Sequence, residues 1–303
     1  LHDRSRHQVR ESLVIDDARA MKLRLVEGLR TDARSAPLLE ALRLAVENDM
    51  DTAEELLSEH AIHLIGRGHA PRLWRLLSDN QIKGMDPWRF RLALHLGSGE
   101  SMRWALTQTE PMNPALRMAW ITIQHMAGRT DKSLAGAEVL EKESIAAGDT
   151  QTAFLCAIQR YRTLTQQTRS KEAYEVLDLI SPPDPAGEAL VCAFRARTQV
   201  LLGRYNEGLQ GARQVAALLP GLPGATAREI QGEVASAFIL LGRLTDAARI
   251  LGEEEIASDG PPVHSISGRI RQLFLDVRRG RLTAAEKNIR SLDEGPETIS
   301  LLK

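Results

Sequence analysis

Apolar residues along this chain recur three and four positions apart, a spacing that places them on one face of an amphipathic helix. The spacing is clearest in four stretches: Val234, Phe238 and Leu241; Ala247, Ile250 and Leu251; Ile270, Phe274 and Val277; and Ala285, Ile289 and Leu292. Glycine-containing or proline-containing segments separate these stretches. The pattern therefore predicts consecutive helices joined by turns.

One turn sequence recurs through the later part of the chain. It begins at Gly128, Thr168, Gly203, Gly242 and Gly280, so that the offsets are 40, 35, 39 and 38 residues. In each case a small residue follows five positions after the turn begins. Glycine provides the backbone freedom that a helix end requires, and a small residue early in the next helix lets two helices pack closely. Each unit is therefore predicted to be a helical hairpin.

Prolines mark the boundaries between the same units. Pro182, Pro220, Pro261 and Pro296 recur at offsets of 38, 41 and 35 residues, and proline ends helices because it lacks a backbone donor. One hairpin cannot bury its apolar face alone, so neighbouring hairpins must stack on each other. We therefore predict an all-α fold, a right-handed superhelix of stacked antiparallel helix hairpins.

The first part of the chain is helical but less regular. Short amphipathic helices are predicted over residues 18–30, 36–47, 51–65 and 70–78. The segment QIKGMDP, residues 81–87, has the character of a junction before longer helix pairs begin. We therefore divide the chain into an irregular helical segment, residues 1–85, and a repeat superhelix, residues 86–303.

Composition and charge narrow the class of protein. Only 4% of the residues are aromatic whereas 26% are charged, a balance that favours helix over strand. The formal net charge is -1, so no overall positive field attracts nucleic acid or anionic lipid. We expect no direct DNA contact by this segment.

The sequence shows neither a secretion signal nor a membrane span. The chain opens with the charged segment LHDRSRHQVR, and no apolar run approaches the roughly 20 residues that a bilayer span requires. Cys156 and Cys192 lack the spacing of a disulfide framework, a zinc site or a redox motif. We expect a cytoplasmic protein without membrane contact and, because Leu1 rather than Met begins the chain, a piece of a longer protein.

The hairpins resemble tetratricopeptide-type repeats. The best match runs from Gly203 through Tyr205, Gly208, Ala212 and Val215 to Pro220. The resemblance implies a degenerate tetratricopeptide-like α-solenoid.

Residues 41–77 resemble the segment that follows the nucleotide-binding and winged-helix portions of MalT/LuxR-type regulators, which are large bacterial signal-transduction ATPases. The matching positions are Asn48-Asp49, Ala53, Leu56-Leu57, His60, Leu64, Gly68, Leu73 and Leu76-Leu77. Leu1-His2 and the basic residues after it look like the tail of the winged-helix region. In such regulators this part is a sensor that binds an inducer or a protein partner; the ATPase then oligomerises and a C-terminal helix-turn-helix binds promoter DNA. This chain has no G-x-x-x-x-G-K-[ST] motif, so the resemblance implies that ATP and DNA are bound elsewhere in the parent protein.

Histidines and tryptophans form two further groups of candidate residues. His60 and His63 lie three residues apart on one helix, with Glu59 beside them and His69 beyond a turn, a spacing that a metal site could use. Lone helical histidines usually serve capping or packing, and we predict no metal site. The four tryptophans are Trp74, Trp88, Trp104 and Trp120. Core packing between helices is their favoured interpretation, and an aromatic pocket is the alternative. No nucleophile or acid-base motif is present, so we predict neither a catalytic site nor a cofactor.

The remaining candidate is the groove that first helices line in a stack of hairpins. Its inward positions are predicted to be Met118, Thr122, His125, Arg162, Gln166, Arg197, Glu229 and Ser236. The candidate ligand-binding residues among them are His125, Arg162, Gln166, Arg197 and Glu229. Arg162 and Arg197 come from consecutive units and could clamp a carboxylate or a phosphate. The alternative is a solvated face with intramolecular ion pairs.

These observations lead to two hypotheses about function. The first is a non-enzymatic sensor module of a MalT/LuxR-type regulator, which binds a small effector or a protein in its groove and whose parent protein self-associates. The alternative is a free-standing tetratricopeptide-like scaffold that binds a protein or peptide partner.

Overall fold

The computed structural model describes residues 15–30, 34–79, 86–97, 99–222, 224–251, 273–274 and 276–286. Helices and the turns between them make up these ranges, and no strand occurs in them. The helices are α1, Ile15–Arg30; α2, Ser35–Asn48; α3, Met50–Gly66; α4, Ala70–Asp79; α5, Asp86–Leu96; α6, Gly99–Thr107; α7, Pro114–Met126; α8, Thr130–Ala147; α9, Thr150–Gln166; α10, Ser170–Leu179; α11, Pro185–Leu201; α12, Tyr205–Leu218; α13, Gly224–Leu240; and α14, Leu244–Leu251. A short 3₁₀ helix, Leu219–Gly221, follows α12. The prediction of an all-α fold is confirmed.

The described residues fall into two compact units, one that ends at Gln108 and one that begins at Thr109. The boundary that the sequence predicts after residue 85 lies at a different place, between α4 and α5. In the structure α5 packs against α4, and α6 packs against α5, so both helices belong to the first unit.

In the first unit each helix packs mainly against its neighbours in sequence. Helix α1 contacts α2, α2 contacts α3 and α4, and α4 contacts α5. The deeply buried side chains include Leu42, Leu57, Leu73 and Leu77, which fall on the apolar faces of α2, α3 and α4. Helices α1 to α4 begin and end within three residues of the predicted ranges, because their apolar spacing follows the helical repeat closely.

Aromatic rings fill the junction of α4, α5 and α6. The ring centroid of Trp104 lies 5.6 Å from that of Trp74 and 5.2 Å from that of Phe90. The buried Arg89 lies over Trp104, and its Nε donates a hydrogen bond of 3.0 Å to the carbonyl oxygen of Leu77. For Trp74 and Trp104 the structure thus shows packing between helices rather than an open pocket.

In the second unit consecutive helices form hairpins that stack on one another. The pairs are α7 with α8, α9 with α10, α11 with α12, and α13 with α14. Each hairpin contacts the next, and an apolar core extends from Phe154 in α9 to Ala248 in α14. Tyr161 and Phe194 are its largest fully buried side chains. Stacking therefore supplies the buried apolar surface that a single hairpin lacks, as predicted.

The recurring turn has one backbone geometry. Gly128, Gly203, Gly242 and Gly280 adopt φ values between 71° and 80°, in the left-handed region. In the turn at Gly203, the N–H of Arg204 bonds back to the carbonyl of Gln199 and closes the helix end. Thr168 occupies the equivalent position with φ of 59°, which costs about 1 kcal/mol for a side chain branched at Cβ. Four of the five turns thus have glycine where the backbone requires it.

The small residue after each turn lies where two helices approach closely. Ser133, Ala173, Gly208, Ala247 and Ala285 are all buried. At Gly208 the approach leaves no room for a side chain, because a Cβ atom there would lie 2.8 Å from the carbonyl oxygen of Ala196 in α11. The steric explanation of the repeat is therefore confirmed at the level of the hairpin.

Several sequence predictions concern residues outside the described ranges. These are the segment around Leu1-His2, residues 81–85 of the junction, the helix faces at Ile270, Ile289 and Leu292, and the prolines at positions 261 and 296. In the described ranges no helix has both the length and the apolar character needed to cross a membrane.

Candidate functional site

The predicted groove residues lie on the first helices of consecutive hairpins, α7, α9, α11 and α13. Helix α7 contacts α9, and α11 contacts α13, so these helices are neighbours in the stack. Five of their side chains form what we call the first-helix cluster: His125, Arg162, Arg197, Glu229 and Glu233. The sequence predicted four of its members.

Arg162 and Glu229 form an ion pair that links α9 to α13. The two residues are 67 positions apart, and Nη2 of Arg162 donates to Oε1 of Glu229. The guanidinium group also lies 5.9 Å from the ring centroid of Phe194 on the intervening α11. Both side chains remain accessible, with 39% and 38% of their surface exposed. The structure thus brings together two predicted site residues from hairpins that are not adjacent.

Arg197 and Glu233 form a second ion pair, between α11 and α13. Nη1 of Arg197 donates a hydrogen bond of 2.8 Å to Oε2 of Glu233, whose side chain is only 7% exposed. Burial opposes the charge of Arg197, but the attraction of Glu233 outweighs it and raises the pKa of Arg197 above its ordinary value. This ion pair therefore connects two neighbouring hairpins of the stack, through α11 and α13.

The sequence did not predict Glu233 as a site residue. It lies four positions after Glu229, hence on the same helix face, and 36 residues after Arg197, which is close to one repeat length. These two spacings are the signal that could have identified it.

His125 extends the cluster to α7 through neutral hydrogen bonds. Its Nδ1 lies 3.2 Å from the hydroxyl of Thr163, which lies 3.3 Å from the hydroxyl of Ser133. Burial, and secondly the positive charge of Arg162, lower the pKa of His125. The imidazole is therefore neutral where the pH is close to 7, and Arg162 provides the positive charge beside it.

The remaining predicted groove residues have local roles or no contact with the cluster. The hydroxyl of Thr122 donates to the carbonyl of Met118, and that of Ser236 donates to the carbonyl of Gly232. Gln166 is exposed at the C-terminal end of α9 and makes none of the contacts above. The arginine clamp predicted from Arg162 and Arg197 is not open, because each guanidinium faces a carboxylate of α13.

A pH dependence of stability follows from His125. Its folded-state pKa lies below its unfolded value, so its contribution to stability is complete above about pH 6.5 and is lost as the pH falls below that value. We expect the free energy of unfolding, measured with urea at about pH 7.5 and about pH 5.5, to fall more for the wild type than for His125→Gln. Parallel pH profiles for the two proteins would contradict this assignment.

Among the described residues, His60 and His63 are not joined by further side chains that could complete a set of metal ligands. Nε2 of His60 lies 3.5 Å from Oε2 of Glu59, and His63 is exposed. Across the part of the chain that the structure describes, no three His, Cys, Asp or Glu side chains converge as metal ligands would.

Two concavities of the described residues have linings that include no member of the first-helix cluster. One, of about 160 Å³, is bounded by α8, α9 and α10 and combines apolar with charged side chains: Leu134, Glu138, Arg160, Leu164, Arg169, Glu172, Glu175, Val176 and Leu179. The other, of about 350 Å³, is an acidic surface of α3 lined by Asp51, Glu54, Glu55, Ser58 and Glu59. Neither includes a predicted ligand-binding residue.

Comparison of the chain with protein-family profiles, with curated proteins and with solved structures finds no match.

Proposed function

We propose that this chain is the effector-binding sensor region of a cytoplasmic MalT/LuxR-type transcriptional regulator, and that the first-helix cluster is its binding site. The segment that carries the resemblance, residues 41–77, folds as parts of α2 and α4 with α3 between them. Stacked hairpins follow it, and such stacks present the same face of several helices side by side. This arrangement supports a role in recognition.

The observation that carries the proposal is the convergence of charged side chains from three consecutive hairpins. Arg162, Arg197 and the carboxylates of α13 form two ion pairs in one region of the stack. An ion pair as exposed as Arg162–Glu229 usually contributes 1 kcal/mol or less, so stability alone gives little reason for it. An accessible guanidinium group is, in contrast, well suited to bind a carboxylate or a phosphate.

In this proposal the chain binds the effector, and the other domains of the parent protein carry out the response. Effector binding changes the contacts between hairpins, and the parent protein couples that change to ATPase self-association and promoter binding. The chain itself needs no catalytic residue, cofactor, membrane or DNA contact for this role.

A search for a retained or added small molecule tests the proposal directly. Native mass spectrometry of the purified chain should show a fixed mass increment, and a metabolite screen should raise the melting temperature. A ligand at 100 times its Kd stabilises the folded state by about 2.7 kcal/mol, which a melting curve resolves readily. If no metabolite changes the melting temperature, and the flanking reading frame encodes neither a phosphate-binding loop upstream nor a helix-turn-helix downstream, the proposal fails.

The second candidate function is a scaffold that binds a peptide or protein, and the concavity between α8, α9 and α10 favours it. Its apolar floor includes Leu134 and Val176, and the neighbouring Leu179 is 84% exposed. An apolar side chain of a partner would fit this volume, flanked by Glu138 and Glu172. Affinity purification that returns one protein partner, lost on Leu179→Asp, would support this function over the sensor.

A further inference from the structure

The two ion pairs of the first-helix cluster differ in how readily an added anion can reach them. Glu233 has 7% of its side chain exposed, and Arg197, its partner, has 28%. Glu229 and Arg162 each expose more than a third of their side chain surface. Exchange of the carboxylate partner is therefore possible at Arg162 without opening the core, and it is hindered at Arg197.

The guanidinium of Arg162 has a support that is independent of Glu229. It lies over the ring of Phe194, which is itself 1% exposed and fixed in the core. A cation over an aromatic face is attracted to the ring, and the planar group keeps its edge available for hydrogen bonds. Arg162 is thus held in place for a planar anion when Glu229 moves into the solvent.

Within the first-helix cluster each arginine faces one carboxylate. Arg197 faces Glu233, Arg162 faces Glu229, and His125 is neutral. An incoming anion that replaces Glu229 keeps Arg162 paired with a negative charge, and the released carboxylate, which is already partly exposed, turns to the solvent. A neutral or cationic molecule has no comparable exchange available.

We infer that Glu229 occupies the place of a ligand's acidic group on Arg162, and that an effector carrying a carboxylate or phosphate group binds by displacing Glu229. This inference rests on the proposed function and specifies its ligand class. The ion pair between α9 and α13 is then an internal competitor of the effector, and it sets the concentration at which the effector binds.

The test is to weaken the competitor and measure the binding of simple anions. Glutarate serves as the carboxylate probe and inorganic phosphate as the phosphate probe. Each is titrated into the chain, and binding is followed through the Nε–H signal of Arg162 by NMR and, in every variant including those without Arg162, through the rise in melting temperature. Glu229→Gln should bind at least one probe about tenfold more tightly than the wild type. Glu229→Asp retains the charge but shortens the side chain, and it should show a gain in the same direction. The probe with the larger gain identifies the acidic group.

Two control variants separate displacement from a general charge effect. Glu172→Gln removes the exposed partner of Arg169 with the same change in net charge, and it should leave the affinity at Arg162 unchanged. Arg162→Lys combined with Glu229→Gln should lose most of the gain, because an ammonium group cannot bind a carboxylate in the bidentate manner. The inference is overturned if neither Glu229 variant binds a probe more tightly than the wild type, or if Glu172→Gln produces an equal gain.

The outcomes also separate this inference from the proposed function. An effector found in the metabolite screen whose affinity does not change in Arg162→Lys would support the sensor and overturn displacement. Tighter anion binding by Glu229→Gln, together with a screen that finds no effector and a flanking reading frame that encodes neither motif, would support displacement and contradict the sensor.

Discussion

The substitution Gly208→Ala is expected to lower the free energy of unfolding by about 3 kcal/mol, the upper end of the usual cost of overpacking. Gly208 lies in the first turn of α12, the second helix of its hairpin, and faces Ala196 and Val200 of α11. A Cβ atom there would lie 2.5 Å from Cγ2 of Val200 and 2.8 Å from the carbonyl oxygen of Ala196. The side chain of Val200 can rotate, but the backbone carbonyl of α11 cannot move without separating the two helices. Urea unfolding of the full chain, followed by circular dichroism, measures the loss.

The matched control is Gly28→Ala in α1. No atom lies within 4 Å of the Cβ position at Gly28, so alanine there adds helix propensity without a clash. We expect this variant to be unchanged or more stable by up to about 1 kcal/mol. If Gly208→Ala behaved like the control, the close approach of α11 and α12 would not be the reason for the small residue in the repeat.

Removing the cation of the buried ion pair is expected to have an effect of similar size. Arg197→Met leaves the carboxylate of Glu233, a residue only 5% exposed, without its guanidinium partner, which should cost about 3 kcal/mol. The cost arises because a carboxylate loses its hydration on burial, and the substitution removes the charge of Arg197 that compensates for this loss. A urea titration at neutral pH measures it.

The double substitution Arg197→Met with Glu233→Leu tests the physical origin of that loss. Replacing both members of a buried pair by apolar residues is often close to neutral, and Nε of Arg197 is buried without a hydrogen-bond partner even in the native protein. We expect the double variant to recover most of the stability lost in Arg197→Met. A double variant as unstable as the single one would mean that the pair fits its surroundings in a way that apolar side chains cannot replace.

The helices and their order were predictable because each depends on neighbouring residues in the chain. The apolar spacing placed α2 and α3 within one residue of their observed ends, and the recurring turn located the hairpins from α7 onward. Gly203 and Gly242 adopt positive φ values, which glycine adopts without steric cost. Glycine in the sequence was therefore a direct indication of this backbone geometry. The division into units was harder to predict from the sequence. Helix α5 packs on α4 although residues 80–85 separate the two helices in the sequence, and no local pattern indicates that contact.

The candidate site was predictable only in part. Repeat alignment identified Arg162 and Glu229 as members of one face, but not as partners, because 67 residues separate them and the stack brings them together. Glu233 was missed although its spacing from Glu229 places it on the same helix face, since that spacing does not tell a buried acid from a solvated one. Gln166 was predicted on the same alignment and lies at an exposed helix end.

The sequence by itself determined an all-helical chain, its repeat length, and the positions where glycine or another small residue is required. These properties arise from interactions over a few residues, such as helical periodicity, turn geometry and the absence of a side chain. The tertiary structure decided which arginine pairs with which carboxylate, and which of the two pairs is open to solvent. The solvent exposure of each ion pair depends on how much of it the neighbouring hairpins cover, and a local sequence pattern does not show this.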